Sequence, residues 1–160
     1  MNRKYNTAEF LACVERLRRY FPGCALTADM ITGFPGETEA DQAAAVAFLE
    51  QVGFAAVHVF PYSRRPGTKA DAMPEQLSHA VKSARAHEAQ RAADACKQRY
   101  LAQQVGRILP VLFETEHDGN WVGHSDNYCL VRVAGDDLRG LVKNVKISAV
   151  SGQMLVGDLV

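Results

Sequence analysis

The sequence predicts an α/β segment followed by a small all-β barrel. Helical and strand-like stretches alternate with short connections from residue 6 to residue 60, which is the pattern of a parallel α/β unit. After Gly106 the chain changes to short Val-, Leu- and Ile-rich stretches separated by turn residues. Between the two lies a long stretch rich in Ala, Gln and alternating charge, which reads as one helix.

Residues 6–21 form the first expected helix. Asn6 stands at the cap, Glu9 at the capping-box position, and Phe10, Cys13, Val14, Leu17 and Phe21 keep helical spacing. Pro22-Gly23 stops it, and residues 24–32 read as a short, mostly apolar strand covered on both faces. Gly33-Phe34-Pro35-Gly36 is a run of breakers. Thr38 then caps a second helix with Asp41 three residues on, and Gly53 ends it. Residues 54–60 are the second strand. The Pro-, Gly- and Arg-rich stretch 61–74 is a loop, and 75–104 is the long helix, with a thin apolar stripe of Leu77, Val81, Ala84, Ala92, Tyr100 and Leu101. Strands are expected at 107–116, 121–123, 128–133, 141–149 and 154–160, enough for a barrel of OB-like size. The predicted domains are 1–97 and 98–160.

With 48% hydrophobic residues the chain can build a core. Lys+Arg and Asp+Glu both number 18, so a strongly basic nucleic-acid protein is excluded and a local basic patch is not. No stretch approaches the ~20 apolar residues of a membrane span, and a soluble cytoplasmic protein is expected. Cys13, Cys24, Cys96 and Cys129 fall in no CxxC or CxxxCxxC cluster, so no metal residue is assigned, and free, mostly buried thiols are expected.

Two segments can carry chemistry. The strand–turn–helix of 29–38 would put free backbone N–H groups at the carboxyl end of a parallel sheet, where anionic ligands gather; a plain βα turn explains the same glycines. The loop after the second strand carries Tyr62 beside Arg64, Arg65 and Lys69, which suits base stacking and phosphate contact, or simply a solvated basic loop.

Together these segments resemble a known family. Asp29-x-Ile31-x-Gly33-Phe34-Pro35-Gly36-Glu37-Thr38, then His58-Val59-Phe60-Pro61-Tyr62-Ser63-x-Arg65-x-Gly67-Thr68, is similar to the fifth and sixth strands of the radical-S-adenosylmethionine tRNA methylthiotransferase barrel. Met1-Asn2-Arg3-Lys4-Tyr5 resembles the lead into the preceding helix. Gly106, Trp121-Val122-Gly123-His124, Asn127-Tyr128 and Val145-Lys146-Ile147 resemble the TRAM domain that ends these enzymes. The wording of Asn2–Tyr5 and His58–Ser63 is most similar to the branch acting on threonylcarbamoyladenosine in tRNA.

The resemblance implies the C-terminal portion of a (βα) radical-SAM barrel followed by a TRAM barrel. It implies a partial S-adenosylmethionine site, with Ile31, Gly33, Phe34, Pro35 and Gly36 beneath adenine and ribose and Phe60, Pro61, Tyr62 and Ser63 along the adenine edge. Glu37 joins this set, or only favours the helix N-terminus by its charge. It implies tRNA as partner, through Arg64, Arg65 and Lys69 and through Arg107, Trp121, His124, Tyr128, Arg132, Lys143 and Lys146. Trp121 and Tyr128 are also ordinary barrel-core residues, the favoured reading for both, and His124 and His58 read as packed or capping histidines. From residue 98 onward, 6 basic residues face 7 acidic ones, so RNA affinity would come from arrangement and not from total charge.

The departure from the family is equally informative. The CxxxCxxC loop and the upstream cysteines that hold its 4Fe-4S clusters have no counterpart here, so no residue is assigned catalysis. A separate N-terminal polypeptide would complete the barrel. Met1 coincides with an internal methionine of the family pattern, and a truncated or split gene is expected. Two parallel strands cannot close a barrel, so the first hundred residues should behave poorly alone while the last sixty fold. The competing reading is a stand-alone TRAM-type RNA-binding module without catalytic activity; an unrelated phosphate-binding α/β protein lacks any P-loop or dinucleotide fingerprint.

Overall fold

The computed structural model describes residues 4–160; the Met1–Arg3 part of the opening segment lies outside them. The chain divides into two compact units, Met1–Cys96 and Lys97–Val160. The whole is mixed α/β, with two helices and most of a third in the first unit and a closed five-stranded barrel in the second.

In the first unit α1 (Thr7–Tyr20) starts at a complete capping box. The Glu9 amide donates to Asn6 Oδ1 and the Asn6 amide to Glu9 Oε2, both at 2.9 Å. Its Phe10 ring meets Phe48 edge-on at 5.7 Å and lies 6.2 Å from Phe54. Two parallel strands follow, β1 (Thr27–Thr32) and β2 (Ala56–Pro61), in register from Thr27–Ala56 to Thr32–Pro61. Between them α2 (Glu39–Val52) is capped by Thr38, whose box with Asp41 holds that carboxyl below its usual pKa, chiefly through the Thr38 hydroxyl. Gly53 closes α2 in the left-handed conformation, and Arg18 Nη2 donates to the Val52 carbonyl at 2.5 Å, placing a cation at the negative end of the helix. Val14, Leu49, Val52, Phe54, Val57 and Ala93 make the core.

Two expectations need correction here. The sheet is covered on one face only within this unit: Thr27, Asp29 and Ile31 alternate as exposed residues, with His58 and Phe60 beside them. The long helix α3 (His79–Ala102) begins at residue 79, not 75. Glu75 has φ 60° after Pro74, its carbonyl accepts the Gly36 amide at 3.2 Å, and the Ser78 hydroxyl takes the Val81 amide at 3.3 Å. The left-handed residue pins the loop to the 33–36 turn, and the helix starts only after it.

In the second unit β3 (Ile108–His117), β4 (Asn120–Ser125), β5 (Leu130–Ala134), β6 (Val142–Ser151) and β7 (Met154–Leu159) close in the order β3-β4-β5-β7-β6. Only β5 and β7 run parallel. Leu109, Val111, Phe113, Val131, Val133, Val145, Ile147 and Leu155 alternate inward and fill the barrel. The register slips once in β3, between Phe113 and Thr115, and once in β6, between Ile147 and Ala149. A glycine pairs with the residue at each slip, Gly123 with Phe113 and Gly157 with Ile147. These bulge–glycine pairs bend the two longest strands so that the sheet can close.

Candidate functional site

Both parallel strands end at one edge, and the residues assigned to a cofactor gather there. The Tyr62 amide donates to the Thr32 carbonyl at 2.8 Å, continuing the pairing beyond β2. The Tyr62 ring lies edge-on to Phe34 at 5.3 Å. Ile31 and Phe60, partners in register, are both exposed, and a cleft of about 530 Å³ opens over them, lined also by Pro61, Tyr62, Ser63 and Arg65. Small-molecule pockets commonly hold ~300–1,000 Å³ and are mostly apolar with a few polar groups, as here. Gly33, Phe34, Pro35, Gly36 and Glu37 form the turn that follows β1 and do not line the cleft.

That turn is held by groups remote in sequence. Gly33 has φ 70° and its amide donates to Glu37 Oε1 at 2.8 Å. The same carboxylate oxygen receives Arg85 Nη1 at 2.8 Å, which also reaches the Glu37 carbonyl at 2.8 Å. Arg85 Nη2 pairs with Glu39 at 2.7 Å. The guanidinium pKa is raised, mainly by the Glu39 hydrogen bond, against the desolvation that opposes it. Buried Gln42 donates to the Arg85 carbonyl at 3.1 Å and to Glu88 at 2.9 Å. Glu37 thus shapes the turn through its side chain. Sequence reasoning missed Arg85, although a signal existed: Ala89, Ala92, Ala93 and Cys96 follow it at helical spacing on the buried face, so an arginine in that phase requires a partner.

Of the loop cations, Arg64 is neutralised by Asp71, with Nε to Oδ1 at 2.7 Å. Arg65 and Lys69 are exposed and have no ion pair among the described residues.

The barrel residues assigned to RNA are distributed unevenly. Trp121 is 6% exposed and belongs to the core. Tyr128 is 85% exposed with φ 60°, which corrects its reading as core. The cause is a turn in which Ser125 Oγ donates to Asn127 Oδ1 at 2.6 Å and the Tyr128 amide donates to the Ser125 carbonyl at 2.9 Å, leaving the ring outside. His124 is not packed either: its ring Nδ1 meets Glu114 at 2.5 Å on the surface, 6.3 Å from the Tyr128 ring. Arg107 donates to Gln104 Oε1 at 2.6 Å, an oxygen that also takes Asn127 Nδ2 at 3.1 Å. Arg132 is half-buried opposite Val122, and Lys143 and Lys146 are exposed on β6.

None of the four cysteines forms a disulfide among the described residues; Cys13 is exposed, Cys24 half-buried, Cys96 and Cys129 buried. Burial pushes the Cys129 thiol pKa up, away from the thiolate that a metal requires. Among the described residues no three His, Cys, Asp or Glu side chains are placed to hold a metal ion, and their donors do not fit an iron–sulfur cluster. No described helix is long and apolar enough to cross a membrane.

No protein-family model matches the chain. Over 153 residues, 92% of the chain, it is 37% identical to the threonylcarbamoyladenosine tRNA methylthiotransferase MtaB of Bacillus subtilis, covering 34% of that protein. Over 162 residues, 99% of the chain, it is 40% identical to the tRNA-2-methylthio-N(6)-dimethylallyladenosine synthase of Maricaulis maris, covering 36% of it. The corresponding synthase of Nitratidesulfovibrio vulgaris is 36% identical over 167 residues, with 37% of its length covered. The chain therefore spans about a third of the curated relatives that it matches and, over that span, belongs to the tRNA methylthiotransferase family.

Proposed function

We propose that this chain provides one wall of an S-adenosylmethionine site and the RNA grip of a tRNA methylthiotransferase. The observation that carries the reading is the cleft over Ile31 and Phe60, walled by Pro61, Tyr62 and Ser63. Ile31 and Phe60 offer apolar surface to an adenine face, and the peptide groups of 60–63 offer donors and acceptors to its edge. When bound, adenosylmethionine supplies the sulfonium whose reductive cleavage begins the chemistry. This chain's residues bind and orient its adenosine part; the iron–sulfur ligands lie outside them.

On this reading residues 1–97 are part of a radical-SAM (βα) barrel, which a separate N-terminal polypeptide or further chain completes against the unpaired edges of β1 and β2. Residues 98–160 are the TRAM barrel, meeting tRNA with Tyr128, His124, Lys143 and Lys146 in the cytoplasm. The substrate is threonylcarbamoyladenosine in tRNA, methylthiolated at C2, a choice supported by the wording of His58–Ser63 and by the similarity to a protein of that name. Adenosylmethionine titrated into the purified chain should bind weakly and saturably and be displaced by adenosine. Ile31→Asp should abolish the signal, and an unchanged affinity would refute the assignment.

A second reading, a stand-alone RNA-binding barrel, draws on the closure of β3–β7 around its own core. Limited proteolysis of the whole chain should leave a fragment spanning about residues 98–160 that binds tRNA with a steep salt dependence. Cleavage within residues 98–160 as fast as in the first unit would count against the autonomy of the barrel, and a protected N-terminal half in a monomer against the expected weakness of the first hundred residues.

A further inference from the structure

We propose that a second pocket, between segment 61–64 and the first turns of α3, is a phosphate site centred on Lys82. The pocket measures about 460 Å³ and is lined by Tyr62, Ser63, Arg64, His79, Lys82 and Ser83, together with Pro61. No carboxylate lines it. It shares the Pro61–Tyr62–Ser63 wall with the adenosine cleft and is otherwise built from different residues. The site does not depend on the adenosine assignment.

Lys82 is the group that calls for an anion. It is half-buried and has no ion pair among the described residues. Arg64, the other permanent cation of the pocket, already pairs with Asp71. Lys82 is also held in place. Its stem lies across Gly33, where a Cβ would come within 2.4 Å of the Lys82 Cγ, and its Nζ stands 5.5 Å from the centre of the Tyr62 ring. A cation fixed in this way loses little further side-chain freedom on binding. The Tyr62 hydroxyl oxygen is buried and has no hydrogen-bond partner among the described residues, and Ser63 and Ser83 bring two hydroxyls to the lining. An ammonium, an imidazole and two serine hydroxyls on residues lining one space match the oxygens of a phosphate, which accepts from several directions at once. The phosphate can come from an RNA strand or from a free phosphate compound.

The test is a titration of the full chain followed through backbone amide resonances, once with inorganic phosphate and once with the RNA dinucleotide UpU. Saturable shifts are expected at Ser63, His79 and Ser83. Lys82→Met keeps the stem over Gly33 and removes the charge, and should weaken binding about 10- to 100-fold, the scale of one charge-assisted hydrogen bond. Lys82→Arg should retain binding, and Arg19→Met, an exposed change on α1, should not alter it. Tighter binding of UpU assigns the site to an RNA strand; tighter binding of inorganic phosphate assigns it to a free phosphate compound. Shifts that do not saturate, or equal affinity in Lys82→Met, would overturn the proposal. Loss of adenosylmethionine binding with phosphate binding intact would overturn the adenosine reading alone.

Discussion

Gly123→Ala should destabilise the barrel by about 3–5 kcal/mol and leave much of it unfolded. A Cβ at Gly123 would lie 2.0 Å from the Leu112 carbonyl oxygen, 2.7 Å from its carbon and 2.8 Å from the Phe113 Cα. All three are backbone atoms, so no rotamer change relieves the clash. Overpacking typically costs about 1–3 kcal/mol where side chains can yield. Here β4 must also move off β3 and give up pairing at Phe113–Gly123 and Leu112–His124, each lost hydrogen bond worth about 1 kcal/mol. A domain of this size has roughly 3–10 kcal/mol in total. Trp121 is the only tryptophan, is buried, and lies two residues from the change, so its fluorescence in urea reports the barrel alone. Gly119→Ala is the control: with φ 71° and nothing within 4 Å, it should cost only about 1 kcal/mol of backbone strain. Equal midpoints for the two variants would sink the argument.

The contrast between these glycines shows what the sequence could reveal. Gly119 follows Asp118 in a turn that composition alone marks. Gly123 looked like the end of a short strand, yet β4 continues through it to Ser125. Its role depends on a bulge ten residues upstream, and pairing across strands leaves no local periodicity. The same division runs through the first unit. The capping boxes of Asn6–Glu9 and Thr38–Asp41 involve residues three apart, and both were legible. The Pro74–Glu75 stretch read as the start of a helix because helix propensity does not register a left-handed residue that docks on Gly36. At the candidate site, the meeting of segment 29–38 with the Tyr62 loop was legible because strand ends follow from strand order, whereas Ile31 and Phe60 were named only through the family resemblance. Arg85 and Lys82 were not legible, since both act on the 33–37 turn from more than forty residues away. Tyr128 was misread because an aromatic in a strand-rich region suggests core, whereas its φ of 60° turns it outward.

Arg85→Met should loosen the 33–37 turn by about 3 kcal/mol, and adding Glu37→Gln should restore most of that loss. The Arg85 side chain is 7% exposed and that of Glu37 15%, so this pair is shielded from water. Glu39, the other partner, is 87% exposed and contributes little, as surface pairs do. Removing one member of a buried pair strands the other and costs about 3–5 kcal/mol, whereas removing both charges is far milder. Glutamine keeps an oxygen for the Gly33 amide, so the double variant retains the contact that shapes the turn. Amide exchange of the segment 31–42, read by mass spectrometry, isolates this effect from the barrel. A loss of 3 kcal/mol should speed exchange there about 100-fold in Arg85→Met. The double variant should return close to the parent rate, and Trp121 fluorescence should stay unchanged throughout. If the double variant exchanges faster than Arg85→Met, the two side chains act independently and Glu37 is not the reason Arg85 is buried. If the coupling holds, the turn after β1 is set by a charge pair that spans forty-eight positions, from Glu37 to the second turn of α3.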